Sequence, residues 1–202
     1  MVKIVDSLRK IQKSVNAALA KAINAFMPRM ARNIEPKIRK LVESELRRSP
    51  EIQELRAGGI LAFEFGLDSD PTEEIVSSIV GSLEVKTKKL DRNLSGGVYV
   101  YMQPSSYANL FSLRASIQET EKGVQLPWLE WLLLRGDEII VAGFGVKIQS
   151  GAGRSGGATM KEGLTPYKVN SSYSGTLENN FITRAIERVS PQIEKIIEGG
   201  FK

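Results

Sequence analysis

The chain has 202 residues and contains neither cysteine nor histidine. Without these side chains it can form no Ser-His-Asp triad, no cysteine nucleophile and no thiolate or imidazole site for a metal ion. Disulfide bonds are excluded as well, so the fold does not depend on an oxidising compartment. Catalysis would have to use carboxylate, lysine, tyrosine or hydroxyl groups. We therefore expect a non-enzymatic protein without a cofactor or a metal.

Long apolar runs are missing too. No stretch approaches the roughly 18 apolar residues that a membrane-spanning helix needs. The first residues, MVKIVDSLRKIQKSV, carry a charge every few positions, unlike the apolar centre of a signal peptide. We therefore expect no membrane partner and a protein that is made and kept in a cytoplasm.

Charge is distributed unevenly along the chain. Residues 1–50 contain 12 Lys and Arg against 4 acids, a net charge of +8, and the remaining residues have a net charge of −3. A basic segment of this kind is typical of contact with a polyanion. It equally suits packing of one copy's basic arm on the body of the next copy, and a solvated helix face is the alternative for any single lysine. The candidate interface or DNA-proximal residues here are Lys10, Lys13, Arg39 and Lys40.

The N-terminal part has the periodicity of helices. Apolar residues three and four apart predict one helix over 4–27 and a second over 35–48. Pro28 is expected to end or kink the first helix, and Pro36 suits the first turn of the second. Ser49-Pro50 has the pattern of an N-cap followed by proline at the first helical position. With a break at Gly58-Gly59, these features predict a basic helical arm over 1–57 and a body over 58–202.

The body mixes strand and helix patterns. The predicted strands are 60–67, 83–90 (alternatively a helix tail), 98–102, 115–119, 138–148 and 167–173. The predicted helices are one opened by Asp70-Pro71, then 107–113, 127–134 and 179–198. A mobile glycine-rich loop is predicted over 150–166. This order indicates an α+β fold with long N-terminal helices, a small, mostly antiparallel sheet and a C-terminal helix.

The glycine-rich loop matches G-x-G-x-x-G by letter over residues 151–156. A dinucleotide site needs a helix to begin there, whereas Gly157, Gly163 and Pro166 make the following residues poor helix formers. We interpret the segment as a mobile loop whose Arg154, with Lys161 beyond it, contacts a neighbouring protein or DNA. A solvent loop without function is the alternative.

Two tryptophans lie three residues apart in the predicted helix 127–134. For Trp128 and Trp131, packing in the core is the favoured interpretation and an interface anchor is the alternative. The sequence places no two carboxylates in a pattern typical of an acid–base pair. The adjacent Glu73 and Glu74, for example, belong to the start of a predicted helix. We therefore assign no acid–base pair.

The C-terminal third resembles a known family. The segments that carry the resemblance are Trp128–Leu133 with Arg135-Gly136, Gly153–Met160, Tyr173–Thr176 and Asn179–Ile186. Over about residues 126–188 they resemble the neck or tail-completion proteins of tailed bacteriophages. That family closes with a helix bearing asparagine, phenylalanine, arginine and alanine, matched here by Asn180, Phe181, Arg184 and Ala185. The N-terminal half has no counterpart in the resemblance.

The resemblance implies a structural virion protein of the head–tail junction, located in the neck or tail and assembled in the host cytoplasm. It implies a homo-oligomeric ring, hexameric or dodecameric, through which DNA passes. Its partners would be other neck, portal or tail proteins, with non-specific DNA contact in the lumen. A non-specific nucleic-acid-binding accessory protein is the second hypothesis. An enzyme is the third, for which a buried carboxylate pair in a deep pocket would be the distinguishing sign.

Overall fold

A computed structural model describes residues 7–102, 106–119 and 123–201. The helices are α1 (Leu8–Arg48), α2 (Pro50–Glu54), α3 (Ile60–Phe65), α4 (Thr72–Gly81), α5 (Ala108–Phe111), α6 (Trp128–Leu134) and α7 (Phe181–Gly200), with a 3-10 turn at Arg114–Ser116. The strands form antiparallel pairs: β1 (Glu84–Lys88) with β2 (Gly97–Tyr101), β3 (Gln118–Glu119) with β4 (Gln125–Leu126), and β5 (Phe144–Ile148) with β6 (Ala158–Glu162). The predicted α+β class is confirmed, and its small antiparallel sheet is divided into these separate pairs.

The chain divides into two compact units. The first comprises the described residues of Met1–Lys40, Leu83–Met102 and Pro191–Lys202, and the second those of Leu41–Ser82 and Gln103–Ser190. The predicted boundary between residues 57 and 58 falls inside the second unit. Within the described part of the chain, no helix combines the length and the apolar character needed to cross a bilayer.

Helix α1 continues through both prolines that were expected to interrupt it. A buried stripe runs along the helix past Pro28 and Pro36, formed by Met27, Met30, Ala31, Ile34, Ile38, Val42 and Leu46. An interior proline costs a helix about 3 kcal/mol, whereas full burial of each large apolar side chain contributes about 1.5–3 kcal/mol. Because the stripe is continuous, packing outweighs the two prolines and the predicted division into helices 4–27 and 35–48 is wrong. Residues 1–6 lie outside the described residues.

In the first unit, Asn24 attaches α1 to the loop of the β1–β2 hairpin. Its Nδ2 donates to the Leu90 carbonyl oxygen at 3.0 Å, and the Leu90 N–H donates to its Oδ1 at 2.8 Å. Arg39 donates to the Leu83 carbonyl oxygen just before β1 and pairs with Glu35 at 2.8 Å. Side-chain groups of α1 thus satisfy backbone groups on both sides of β1.

In the second unit, Trp128 lies at the centre of the core. It is fully buried, its indole N–H donates to the Ala115 carbonyl oxygen at 3.0 Å, and its ring packs against Phe65 at 5.2 Å between centroids. At the edge of this core, Arg184 of α7 pairs at 2.6 Å with Glu51 of α2, whose carboxylate is almost completely buried. A buried carboxylate needs such a partner because its desolvation would otherwise be costly.

Several predicted elements differ from the structure. Residues 60–67 form helix α3, and 115–119 contain a 3-10 turn followed by only two strand residues. Of 138–148 only Phe144–Ile148 is a strand, and 167–173 contribute a single bridge between Val141 and Tyr167. The segment 150–166, predicted to be a mobile loop, contains β6. The predictions of α2 after Ser49, α4 after Asp70-Pro71, and α6 are confirmed.

Asn180 fixes the start of α7. Its Oδ1 accepts hydrogen bonds from the N–H groups of Ile182 (3.0 Å) and Thr183 (3.2 Å), and the Thr183 hydroxyl accepts from the Asn180 N–H at 2.9 Å. Its Nδ2 donates to the Tyr107 hydroxyl and to the Thr176 carbonyl oxygen, both at 2.9 Å. The helix predicted over 179–198 is therefore capped by the side chain of Asn180, which is fully buried.

We predict that Asn180→Ala lowers the free energy of unfolding by about 2–3 kcal/mol, because it removes the helix cap and two further hydrogen bonds. Asn180→Asp keeps the accepting oxygen and loses the donating amide, so we expect an intermediate loss. Thermal unfolding followed by circular dichroism measures both. Equal stability of the alanine variant and the parent chain would contradict the assignment.

Candidate functional site: the Glu64 cleft

The second unit contains a cleft of about 690 Å³ around Glu64. We call it the Glu64 cleft. Its apolar walls include Phe63, Val124, Leu126, Val146 and Met160, and its polar lining is Glu64, Arg154, Ser155 and Thr159. A mostly apolar concavity with a few convergent polar groups is the usual form of a binding site.

Glu64 reaches the cleft because residues 60–65 are helical. Leu61, Ala62 and Phe65 fill the core side of α3, and Phe63 and Glu64 line the cleft. The helix begins where Ile60 N–H donates to the Glu54 carboxylate at 2.7 Å, and it ends at Gly66 in the left-handed conformation. A strand at this position, as predicted, would have separated Phe63 and Glu64 onto opposite faces.

Several polar side-chain atoms in and near the cleft are buried and lack hydrogen-bond partners among the described residues. Glu64 Oε2, Ser155 Oγ and Thr159 Oγ1 make no hydrogen bond to any residue that the structure describes, and neither does the nearby Tyr167 hydroxyl. Each such atom costs about 1–3 kcal/mol relative to a satisfied one. Because these atoms have almost no accessible surface, a bound group could recover that free energy only after the cleft walls move.

Burial favours the neutral form of Glu64. Desolvation raises the pKa of its carboxyl group above the ordinary value of 4.5. Desolvation, together with the negative charge of Glu64, also raises the pKa of the Tyr167 hydroxyl. A protonated Glu64 can both donate and accept a hydrogen bond, which widens the range of groups that the cleft can bind.

Arg154 lies at the edge of the cleft, but its guanidinium group is engaged by the protein. Nε and Nη2 donate to the Gly66 carbonyl oxygen at 3.1 and 2.9 Å, and Nη1 donates to the Glu119 carbonyl oxygen. The side chain thus supplies hydrogen bonds to a backbone carbonyl oxygen at the C-terminal end of α3 and to another at the end of β3. Arg154 positions the cleft walls rather than extending from a mobile loop.

The glycines around Arg154 are required by close approach. A Cβ atom at Gly153 would lie 1.8 Å from the Ala158 carbonyl oxygen, and one at Gly157 would lie 2.2 Å from the Phe63 ring. Both distances are far below van der Waals contact. Glycine-rich composition here reflects a tight hairpin connection packed against α3.

The remaining predicted residues lie apart from the cleft lining. Lys161 is exposed on β6 and pairs with Gly145, and Trp131 is partly exposed on α6 beside the buried Trp128. Lys10, Lys13 and Lys40 are exposed on α1, and Arg39 is partly buried there. Of the predicted site residues, only Arg154 lines the cleft. Glu64 was missed because its segment was interpreted as a strand, although a lone acid in an apolar run was a visible signal.

The residues that carry the family resemblance have structural roles in the second unit. Gly175 N–H donates to the Leu132 carbonyl oxygen at 2.9 Å, and Gly136 N–H donates to the Gly175 carbonyl oxygen at 2.8 Å. A Cβ atom at Gly175 would lie 2.6 Å from Asn180 Cβ. Phe181 and Ala185 are buried. The segments Trp128–Gly136, Tyr173–Thr176 and Asn179–Ile186 therefore contact one another.

The two units carry opposite net charge. Counted over the sequence, the first unit has 16 Lys and Arg against 6 Asp and Glu, a net charge of +10. The second has 12 against 17, a net charge of −5, and the two values sum to the +5 of the chain. The Glu64 cleft thus belongs to the acidic unit.

We predict that Glu64→Gln stabilises the protein at pH 7 but not at pH 4. Because the folded pKa of Glu64 is raised above 4.5, its stabilising contribution is complete below pH 4.5 and is lost as pH rises through the folded pKa. Partial exposure limits the gain to about 1 kcal/mol, which in a chain of this length corresponds to about 2–4 °C in melting temperature. Exposed Glu162 provides the control, Glu162→Gln. A melting-temperature difference between the Glu64→Gln variant and the parent chain that does not change between pH 4 and pH 7 would rule this out.

Comparison with known proteins finds no relative from which to assign function. No family model, no curated protein and no solved structure matches the chain. Function must therefore be argued from the residues and geometry described above.

Proposed function

We propose that the chain is a structural subunit of the head–tail junction of a tailed bacteriophage, a neck, tail-completion or tail-terminator protein. In this proposal six or twelve copies form a ring through which DNA passes, in contact with portal, neck or tail proteins of the virion. The resemblance over residues 126–188 motivates it. The contacts among Leu132, Gly136, Gly175 and Asn180 support it. They join three of the four motif segments, and a family signature is expected to maintain a common scaffold.

The opposite charge of the two units carries the proposal. A ring needs two different surfaces on each subunit, so that one surface of a copy meets the other surface of the next. If the first unit of one copy, with a net charge of +10, meets the second unit of the next copy, with a net charge of −5, the two surfaces attract each other. In a symmetric dimer formed through either unit, two surfaces of the same sign would face each other and repel. Charge therefore favours head-to-tail over symmetric association.

A non-specific nucleic-acid-binding protein is the second candidate, favoured by the basic helix. From Leu8 to Ile34, α1 carries Arg9, Lys10, Lys13, Lys21, Arg29 and Arg32 and no acidic residue. Such a surface attracts phosphates without reading sequence. In a ring the same charge would contact DNA only weakly, since strong binding would hinder passage.

We predict rings of six or twelve copies in negative-stain images and native mass spectra of concentrated protein at low salt. High salt should weaken them, because screening reduces attraction between the oppositely charged units. The chain should also bind portal or tail rings of its virion. A monomer at every concentration that also fails to bind those rings would overturn the proposal.

Duplex DNA binding separates the two candidates. For the neck protein we expect dissociation constants no tighter than about 10⁻⁶ M at physiological salt. If Lys10, Lys13 and Lys40 contact phosphates, their replacement by Gln should reduce the slope of log affinity against log salt by about 2–3. Lys147→Gln, at an exposed position of β5 in the acidic unit, is the control and should leave the slope unchanged. Tight binding at physiological salt would favour the accessory protein.

A further inference from the structure

The β1–β2 hairpin of the first unit exposes one face that carries two tyrosines. In the register of this pair, Lys86 lies opposite Tyr99 and Glu84 lies opposite Tyr101. Residues directly opposite each other, and residues two apart along one strand, point to the same side of a sheet. One side of the hairpin is therefore formed by five exposed residues: Glu84, Lys86, Lys88, Tyr99 and Tyr101. We call them the tyrosine face.

Both aromatic rings of the tyrosine face are available for contact. Tyr99 is 41% and Tyr101 is 52% exposed, and their ring centroids lie 6.5 Å apart with an interplanar angle of 30°. Lys86 Nζ lies 5.3 Å from the centroid of the Tyr101 ring, and the ring keeps its exposed surface with this cation in place. Two neighbouring exposed rings on a sheet offer successive stacking surfaces of the kind that bind unpaired bases.

Cations without an acidic partner lie beside these rings. Glu84 pairs with Lys86 at 2.5 Å. Asp91 Oδ1 accepts hydrogen bonds from the N–H groups of Asn93 and Ser95 in the turn of the hairpin. Within the described ranges, no carboxylate pairs with the four exposed cations of this part of the unit: Lys21, Lys88, Lys89 and Arg92. These four charges can therefore attract an anion.

Three of these cations line a groove between α1 and the loop of the hairpin. The groove has a volume of about 510 Å³, and its charged lining among the described residues consists of Asp91, Lys21, Lys89 and Arg92. Asn24 of α1 exchanges two hydrogen bonds with the backbone of the loop, which fixes the groove within the unit. Lys89 directly follows Lys88 of the tyrosine face in sequence. The positive charge of the groove therefore continues onto the tyrosine face.

Charge and aromatic surface together select the occupant. The unit has a net charge of +10, which favours a polyanion. A duplex would satisfy the cations, but its bases are stacked inside it and would leave the tyrosine rings in water. A single strand presents both a phosphate and the face of an unpaired base at every nucleotide, and every base can stack on an aromatic ring. The occupant that fits is therefore a single-stranded nucleic acid, bound without sequence preference.

We propose that the tyrosine face and the adjoining groove bind single-stranded DNA. The bases stack on two rings and the phosphates contact three cations: Tyr99, Tyr101, Lys88, Lys89 and Arg92. This inference goes beyond the proposed function, because the site lies within one unit of a single copy and does not depend on a ring. The choice of DNA over RNA rests on the proposed function, which brings DNA to the chain.

Fluorescence anisotropy with labelled oligo(dT) at low salt tests the stacking. Tyr99→Ala and Tyr101→Ala should each weaken binding at least about fivefold and leave the affinity for a duplex of the same length unchanged. Tyr101→Phe keeps the ring and should bind like the parent chain. The matched control is Phe144→Ala, which removes an aromatic ring that is also 41% exposed, from the β5–β6 hairpin of the acidic unit. It should change neither affinity.

The salt dependence tests the cations separately. Each phosphate contact on a single strand contributes about 0.7 to the slope of log affinity against log salt. Replacing both Lys88 and Lys89 by Gln should therefore reduce the slope for oligo(dT) by about 1.4. Lys147→Gln, at an exposed position of β5, is the control and should leave that slope unchanged.

Any of three results would overturn the inference: no oligo(dT) binding at low salt, undiminished binding by both alanine variants, or an equal loss in Tyr101→Phe and Tyr101→Ala. Should Tyr101→Ala fail to fold, as judged by circular dichroism, Tyr101→Leu keeps an apolar side chain there and should lose the same affinity. Tighter binding of an RNA strand of the same length would overturn the choice of DNA.

The outcomes distinguish this site from the proposed function. Rings that bind portal or tail rings while the chain fails to bind oligo(dT) would leave the neck protein standing and remove the single-strand site. Oligo(dT) binding by a chain that forms no ring and binds neither portal nor tail rings would leave the site standing and remove the neck assignment.

Discussion

The continuous burial of one face of α1 is the constraint on which the rest of the structure depends. Residues from Met27 to Leu46 keep the same face buried over five turns, and this outweighs two interior prolines. Because the helix is not interrupted, its first part holds the β1–β2 hairpin through Asn24 and its last part contributes Glu45, paired with Arg188, to the second unit.

Local signals predicted the elements that are stabilised locally. Asp70 accepts hydrogen bonds from both the N–H and the hydroxyl of Thr72, so α4 follows Asp70-Pro71 as its sequence indicates. Helix α6 likewise begins after Pro127. Residues 60–65 form a helix instead of the predicted strand because Glu54, six positions earlier, accepts from Ile60 N–H, and because Gly66 ends the helix in a left-handed conformation. Neither contact is visible in the alternation of apolar residues.

The candidate site was less predictable than the fold, because it depends on contacts between residues that are distant in sequence. From the sequence, Gly153 and Gly157 indicate a mobile backbone. In the structure, the Ala158 carbonyl oxygen and the Phe63 ring lie so close to these positions that a side chain would not fit. Arg154 was identified from its loop, but its hydrogen bonds go to Gly66 and Glu119, which are distant in sequence. Glu64 acquires its character only from burial by elements that follow it in the chain. Composition could limit the available chemistry, but it could not bring these residues together.

The polar atoms of the Glu64 cleft that lack partners among the described residues have a consequence for stability. The buried oxygens of Glu64, Ser155 and Thr159 each reduce the stability of the subunit by about 1–3 kcal/mol. Because these oxygens have almost no accessible surface, a bound group could satisfy them only after the cleft walls move. Binding in the cleft would therefore need both apolar contact with its walls and a rearrangement around Glu64. A cleft whose polar atoms were all satisfied would give a more stable subunit with less to gain from binding.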